Sequence, residues 1–314
     1  MILEVQHETR LDYSEPVTES VTEVRMEPVS DAGQSCRSFH LAVRPATPLS
    51  RYPDGFGNHV HHFNVLAPHR QVRVLAASVV ETHPPPFDPA ASRAAYPPRL
   101  DSAALDSLDF LAFRGPVRQT PRLAPLLDAL RPPPGTGLAR LVMHVAGHIR
   151  EHFEYAPAVT QASSPVDDVL EKGKGVCQDF AHLMIAVLRS FGVPARYVSG
   201  YIHRANKESQ SHAWCEAWLP GEGWFGIDPT NDRVVNEHFV KVAVGRDFTD
   251  VPPNKGVYRG QGRETISVRV ETRELERLPP LSWQEQLPPL QVPLTEIASP
   301  RRNQADDDQE AQQQ

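Results

Sequence analysis

The sequence predicts an α+β protein: an antiparallel β-sandwich-like module followed by a unit of helices and then strands. Three observations carry this expectation. Through residues 1–82, short runs place apolar side chains at every second position, the period of half-buried strands. From about residue 103 the apolar spacing becomes helical, and strand patterns return near residue 195. Helices as one block and strands as the next give segregated α+β architecture, where a doubly wound parallel sheet would need them to alternate. At 314 residues the chain is long enough for about two domains, each with a core of its own.

Taken in order, ILEVQHETRLDY, ESVTEVRMEPV, SFHLAVRP, VHHFNVLA and QVRVLAASVVE read as strands between the turn-rich SDAGQS and YPDGFGN. Their spacing suits a sandwich of about 6 to 8 strands over residues 1–82. HPPPFDPAASRAAYPPRLDS is loaded with proline, so 83–120 is expected to be a connection containing a short helix at SAALDSLDFLAF. Residues 121–275 form the second unit. PRLAPLLDALR is a short helix there, and LARLVMHVAGHIREHFEY a longer one with Leu138, Leu141, Val142, Val145, Ile149 and Phe153 on one face. GVCQDFAHLMIAVLRSF is the third, its stripe running from Val176 to Phe191, with Gly192 and Pro194 ending it. ARYVSGYI, SHAWCEAWL, GWFGIDP and TISVRVET read as the strands. Residues 276–314, ending in RRNQADDDQEAQQQ, are too polar to pack and are expected to be disordered.

Composition removes several functions. Net charge is −7 with a pI near 6.1, and the two signs are interspersed, with no basic stripe for nucleic acid or an anionic membrane. Three cysteines without CxxC spacing argue against a disulfide framework and a structural zinc site. The start, MILEVQHETRLDY, lacks the basic and apolar runs of a signal peptide, and LMIAVL is far short of a membrane span. The expectation is a cytoplasmic protein without a membrane partner. GxSxG, P-loop and GxGxxG motifs do not occur.

Cys177 is expected near the second residue of its helix, with Gly175 as N-cap. Unpaired amides and the positive helix end favour a thiolate there, and the same amides could hold an oxyanion. A buried structural cysteine is the competing reading. A nucleophile needs a base and an orienter. In SHAWCEAWL, His212 begins a strand, sharing one face with Trp214, Glu216 and Trp218, while Cys215 points the other way and reads as core. Asp228 ends the next strand, where a hairpin through LPGEG would bring it beside His212; alternatively it starts the turn before Pro229. Cys36 reads as incidental.

Other candidates weigh less. Asp179, in the first helical turn, favours the helix dipole and opposes a thiolate beside it. His182 lies about 140° round the helix from Cys177, by the helical repeat, and reads as structural. Trp214 and Tyr201 are core or cleft-lining aromatics. His59, His61 and His62 have no carboxylate or cysteine at metal-ligand spacing, so no metal is expected. Arg246, Asp247 and Asp250 read as a salt-bridged loop, with substrate contact as the sharper alternative.

Together GVCQDFAHLMIAVLRSFGVPARYVSGY, SHAWCEAW and GWFGIDPTN resemble the three successive motifs of the transglutaminase-like superfamily, and more narrowly its bacterial branch of cysteine peptidases. HETRLDYSEPV, the DGFGN turn, APHRQVRVLA and VGRDFTDVPPNKGVYRG resemble further parts of that branch, so about residues 1–275 are covered. The resemblance implies a papain-like α+β core and acyl transfer through a thioester, without a cofactor. It implies Cys177 as nucleophile, His212 as general base and acid, and Asp228 as the orienting carboxylate. The implied substrate is a peptide or protein amide. Hydrolysis is the expected outcome; transamidation and a non-catalytic peptide-binding role are the alternatives.

Overall fold

The computed structural model describes residues 1–85, 88–99, 102–157, 159–161, 163–204 and 211–279. From residue 280 the expected disordered tail lies outside the described residues.

Six strands come from the first part of the chain: β1 (Ile2–Val17), β2 (Glu19–Val24), β3 (Gln34–Arg44), β4 (Ser50–Pro53), β5 (His59–Val65) and β6 (His69–Thr82). They fall into two antiparallel sheets, and each sheet is completed from the far end of the sequence. β14 (Asn254–Arg259) pairs with β2 and β15 (Glu264–Glu274) pairs with β1, giving the orders β14-β2-β5-β4 and β15-β1-β6-β3. The sequence reading placed 254–274 with the second unit. Their pairing in the sandwich is a long-range choice that strand periodicity does not carry.

β1 and β6 are much longer than the strands facing them, and their alternation serves two cores. At one end Leu11, Tyr13, Val72, Val74 and Ala76 pack against Val24, Phe63 and Val65 of the second sheet. At the other end Leu3, Val5 and Val80, on the same sheet face by period 2, enter the core of the helical unit. Between the two lies His7, whose Nδ1 is 2.7 Å from the Tyr201 hydroxyl. Burial pulls the His7 imidazole down to about 4.

The connection carries a 3₁₀ run at Ser102–Leu111 where a short helix was expected. Among the described residues four α-helices follow: α1 (Ala124–Leu130), α2 (Leu138–His152), α3 (Val166–Lys172) and α4 (Cys177–Ser190). Two-residue strands β7 (Glu154–Tyr155) and β8 (Lys174–Gly175) pair in parallel just before α4. The remaining strands β9 (Ala195–Ile202), β10 (Ser211–Leu219), β11 (Gly223–Asp228), β12 (Arg233–Val234) and β13 (Phe239–Gly245) make an antiparallel sheet in the order β12-β11-β10-β9-β13.

α4 crosses one face of this sheet over Ala213, Cys215, Ala217 and Ala195, all in the shared core. Small residues there let helix and sheet approach closely. Asp179 through Arg189 are all buried, so α4 is enclosed on every side, against the single apolar stripe expected. Two of its buried polar members are tied to surrounding backbone, although His182 Nδ1 has no partner among the described residues. Arg189 donates to the carbonyls of Ala112, Ala195 and Arg246, and His182 Nε2 accepts the Phe248 amide at 3.1 Å.

β13 is an edge strand, a place where unpaired backbone groups invite association. The N-terminal module covers it with two side-chain amides. Gln34 accepts from Lys241 N–H and donates to its carbonyl at 2.7 Å each. Asn58 does the same for Val244, at 2.7 and 2.8 Å. Among the described residues no helix is long and apolar enough to cross a membrane.

Candidate active site

The approach to α4 is built from the backbone. Tyr155 pairs with Gly175, and the Ala156 amide donates to the Gly175 carbonyl at 2.9 Å. This ladder delivers Val176 in an extended conformation, and Val176, in place of the expected Gly175, is the N-cap. The reason is Asp179. Its carboxylate accepts the Val176 amide at 2.8 Å and the Thr160 hydroxyl at 2.5 Å. The carboxylate three residues into the helix thus holds the cap residue, so no capping side chain is needed before Cys177. Burial pushes the Asp179 carboxyl up, against those two hydrogen bonds. Gly175 is required by this packing, since a Cβ there would stand 2.9 Å from the Asp179 Cβ.

Cys177 is the first helical residue and is half-buried. Its amide belongs to the first turn, which has no intrahelical acceptors. His212 and Asp228 are buried, 7% and 0% exposed. His212 Nε2 donates to Asp228 Oδ2 at 2.8 Å, and the Cys177 side chain is close enough to the imidazole to favour its charged form. With Nε2 engaged by the carboxylate, Nδ1 is the nitrogen left for the thiol. Helix start, strand start and strand end, 51 residues apart at most by numbering (Cys177 to Asp228), come together around the His212 ring.

The electrostatics follow from burial and partners. Burial alone would drive the His212 imidazolium down. The hydrogen bond and charge of Asp228, with the contact to Cys177, outweigh it and raise the group to about 9. Asp228 is likewise pushed up by burial and drawn back below its ordinary range by His212, Asn231 and the Thr230 amide.

The Asp228 carboxylate divides its oxygens between the two neighbours that the sequence readings named. Oδ1 accepts the Thr230 amide at 2.9 Å, the turn contact, while Oδ2 faces His212. Asn231 was not singled out from the sequence. Its Nδ2 donates to Asp228 Oδ2 at 2.6 Å, and the only sequence signal was its place in the turn after Asp228.

The other candidates lie elsewhere. Cys215 is fully buried in the core and burial pushes its thiol up. Cys36 sits in the N-terminal module with its thiol raised to about 11, chiefly by burial. His182 is buried beside Tyr197, and burial pulls it down to about 3. Tyr201 belongs to the junction with His7. Trp214 is fully buried with Phe239 and Val198. Arg246 and Asp250 form the salt-bridged loop, joined at 2.9 Å, and Asp247 caps its short helix. His59 and His61 both approach Glu27, at 3.8 and 3.4 Å, and Arg51 grips the same carboxylate. Among the described residues no group of three His, Cys, Asp or Glu side chains is placed to hold a metal ion.

Comparison with known proteins agrees with this architecture. Residues 133–229 match the model of the transglutaminase-like superfamily, and residues 3–81 match that of the bacterial transglutaminase-like N-terminal region. An uncharacterized protein of Mycobacterium leprae is 38% identical over 283 residues, covering 87% of this chain and 99% of its own. A protein-glutamine gamma-glutamyltransferase of Pseudomonas aeruginosa is 32% identical over 126 residues, 37% of this chain and 19% of that one. The crystal structure of a proposed cysteine protease from Cytophaga hutchinsonii superposes with a TM-score of 0.71 at 22% identity, over 89% of this chain and 93% of that one. The fold is that of the transglutaminase-like cysteine proteases. The chain belongs to the transglutaminase-like superfamily and carries the N-terminal region of its bacterial members.

Proposed function

We propose that the protein is a cysteine-dependent enzyme that cleaves peptide-type amide bonds through a thioester, with Cys177, His212 and Asp228 as its catalytic triad. The observation that carries this reading is the buried hydrogen bond of 2.8 Å between His212 and Asp228, with the Cys177 side chain interacting with the same imidazole. His212 Nδ1 takes the thiol proton while Asp228 holds the imidazole by Nε2 and balances its charge. The thiolate sulfur attacks the amide carbonyl, and the Cys177 amide donates to the oxyanion. His212 returns the proton to the leaving amine, and the C–N bond breaks to leave a thioester. Water, deprotonated by His212, then releases the acid and the free thiol. Hydrolysis is favoured because Cys177 is only half-buried, and a site that does not exclude water leaves the thioester open to it.

The likeness to the Pseudomonas protein-glutamine gamma-glutamyltransferase favours a second reading, in which an amine replaces water. The cytoplasm remains the proposed compartment, supported by three unpaired cysteines.

The test is alkylation of Cys177 by iodoacetamide at neutral pH in wild type and His212→Ala, followed by mass spectrometry of each protein after exposure to a peptide mixture. We expect fast alkylation and an acyl adduct on Cys177 in wild type, both lost without His212. Adding a primary amine decides between the readings: an amide product gives transamidation, the free acid gives hydrolysis. Alkylation at the rate of a free cysteine in both proteins would overturn the enzyme and leave a peptide-binding module.

A further inference from the structure

An edge strand presents a row of unpaired N–H and C=O groups, and folded proteins shorten, bend or cover such edges. Most edges of this fold are treated in those ways. β4, β12 and β14 have four, two and six residues. β3 is interrupted by a register shift between Cys36 and Ser38, and β13 is covered by Gln34 and Asn58. β15 is left as it is. It runs eleven residues without a proline and pairs with β1 in unbroken register from Glu264 to Glu274. Among the described residues it is the last strand of its sheet.

The groups on its open side follow from parity. The Leu275 N–H donates to the Ile2 carbonyl at 2.8 Å, and the Arg263 carbonyl accepts the Ser14 N–H at 3.0 Å, so odd-numbered residues bond β1. Successive residues point these groups opposite ways, and Ile266, Val268 and Val270 therefore turn theirs outward. Their side chains share a sheet face with Leu11, Thr9 and His7, the residues opposite them on β1. Leu11 lies in the sandwich core, yet Ile266 and Val268 are 51% and 53% exposed. The edge thus leaves apolar surface open together with main chain.

We propose that β15 pairs antiparallel with β15 of a second copy of this chain, joining the two four-stranded sheets edge to edge about a two-fold axis at Val268. A two-fold contact sets one patch against itself, so the strand must complement its own reverse, and its sequence selects the axis. Outward groups meet outward groups only where even-numbered residues oppose even-numbered ones. With the axis at Val268, this residue faces its counterpart and Ile266 faces Val270, each pair exchanging both N–H···O bonds. On the other face Ser267 meets Arg269 and Thr265 meets Glu271, with no like charges opposed. Arg269 is already ion-paired to Glu271 of its own strand at 2.6 Å. An axis at Arg269 would set that residue against itself and Glu264 against Glu274, which is destabilising. An axis at Ser267 or Val270 would set Val270 against Glu264, or Ile266 against Glu274.

Sedimentation of the full chain between about 1 and 100 µM tests this. We expect monomers to give way to dimers across that range. Val268→Pro removes an outward N–H and leaves the bonds to β1 intact, a position where an edge strand accepts proline. It should weaken association roughly 10- to 100-fold, the worth of the two hydrogen bonds lost at the axis. A second pair of variants needs no proline. Val268→Lys and Val268→Glu should each be monomeric, and an equimolar mixture should associate, because opposite charges then meet at the axis. A chain that stays monomeric throughout, dimers unaffected by Val268→Pro, or a mixture that associates no better than its components would each overturn the pairing. Slow hydrogen exchange at the Ile266, Val268 and Val270 amides in a monomer would assign the edge to another segment of the same chain and overturn it as well.

Discussion

His212 sits under two opposed influences, and the winner has a thermodynamic signature. Burial disfavours its charge, yet Asp228 and Cys177 hold the imidazolium to about 9 against an ordinary 6.5. Between those values the folded chain keeps a proton that the unfolded chain has released. The stabilisation is therefore fully present below pH 6.5 and is lost as the pH rises through about 9. Urea unfolding of wild type should show a loss of about 2–4 kcal/mol between roughly pH 6 and pH 9.5, and Asp228→Asn should show almost none. An identical pH dependence in the two proteins would refute the assignment. Asn231 shares Asp228 Oδ2 with His212 at 2.6 Å, so Asn231→Ala should lower kcat by roughly tenfold, as expected for a hydrogen bond to a charged group, with KM unchanged. A change confined to KM would make Asn231 a substrate contact instead.

At the scale of elements, the start of α4 depends on tight packing between Gly175 and Asp179. Gly175→Ala forces a Cβ to within 2.9 Å of the Asp179 Cβ, an overpacking that costs about 1–3 kcal/mol. The strain falls on the cap that presents Cys177, so the variant should alkylate more slowly at Cys177 while keeping a native far-ultraviolet spectrum. Wild-type stability and alkylation together would show that the cap has room to give. Asp179 illustrates how far local reading reaches. Its place in the first turn is visible in GVCQDF, and its effect on the dipole follows from that. Its grip on the Val176 amide and the Thr160 hydroxyl needs the loop before α3 to fold back, which no spacing along the helix announces. The same limit applies to α4 itself: one apolar stripe was legible, but enclosure on every side depends on α2, α3 and the sheet arriving from other parts of the chain.

Across the whole molecule, the two parts of the chain are laced together. β14 and β15 complete the sandwich, Leu3, Val5 and Val80 join the second core, and Gln34 and Asn58 close the β13 edge. Residues 1–82 expressed alone lack both outer strands and should give a poorly dispersed amide spectrum. A well-dispersed spectrum would show that six strands suffice. Gln34→Ala leaves the Lys241 N–H and carbonyl unmet and should lower stability by about 1–3 kcal/mol, measured by the denaturant midpoint; no change would mean that water satisfies both groups.

What the sequence determined by itself was the local layer. Period-2 and helical spacing located β9, β10, β11 and α4 to within a residue or two, and the order Cys177, His212, Asp228 on helix and neighbouring strands followed from alternation and a hairpin. Those properties are short-range, set by backbone geometry and by which side chains share a face. Only the tertiary structure decided which sheets β14 and β15 join, that Val176 and not Gly175 caps α4, and that Asn231 holds Asp228. The pairings of β14 and β15 rest on partners far away in the sequence, and a strand's pattern says that it will pair without saying with what; the Val176–Asp179 and Asp228–Asn231 contacts span only three residues each and turn on side-chain geometry that residue type does not fix.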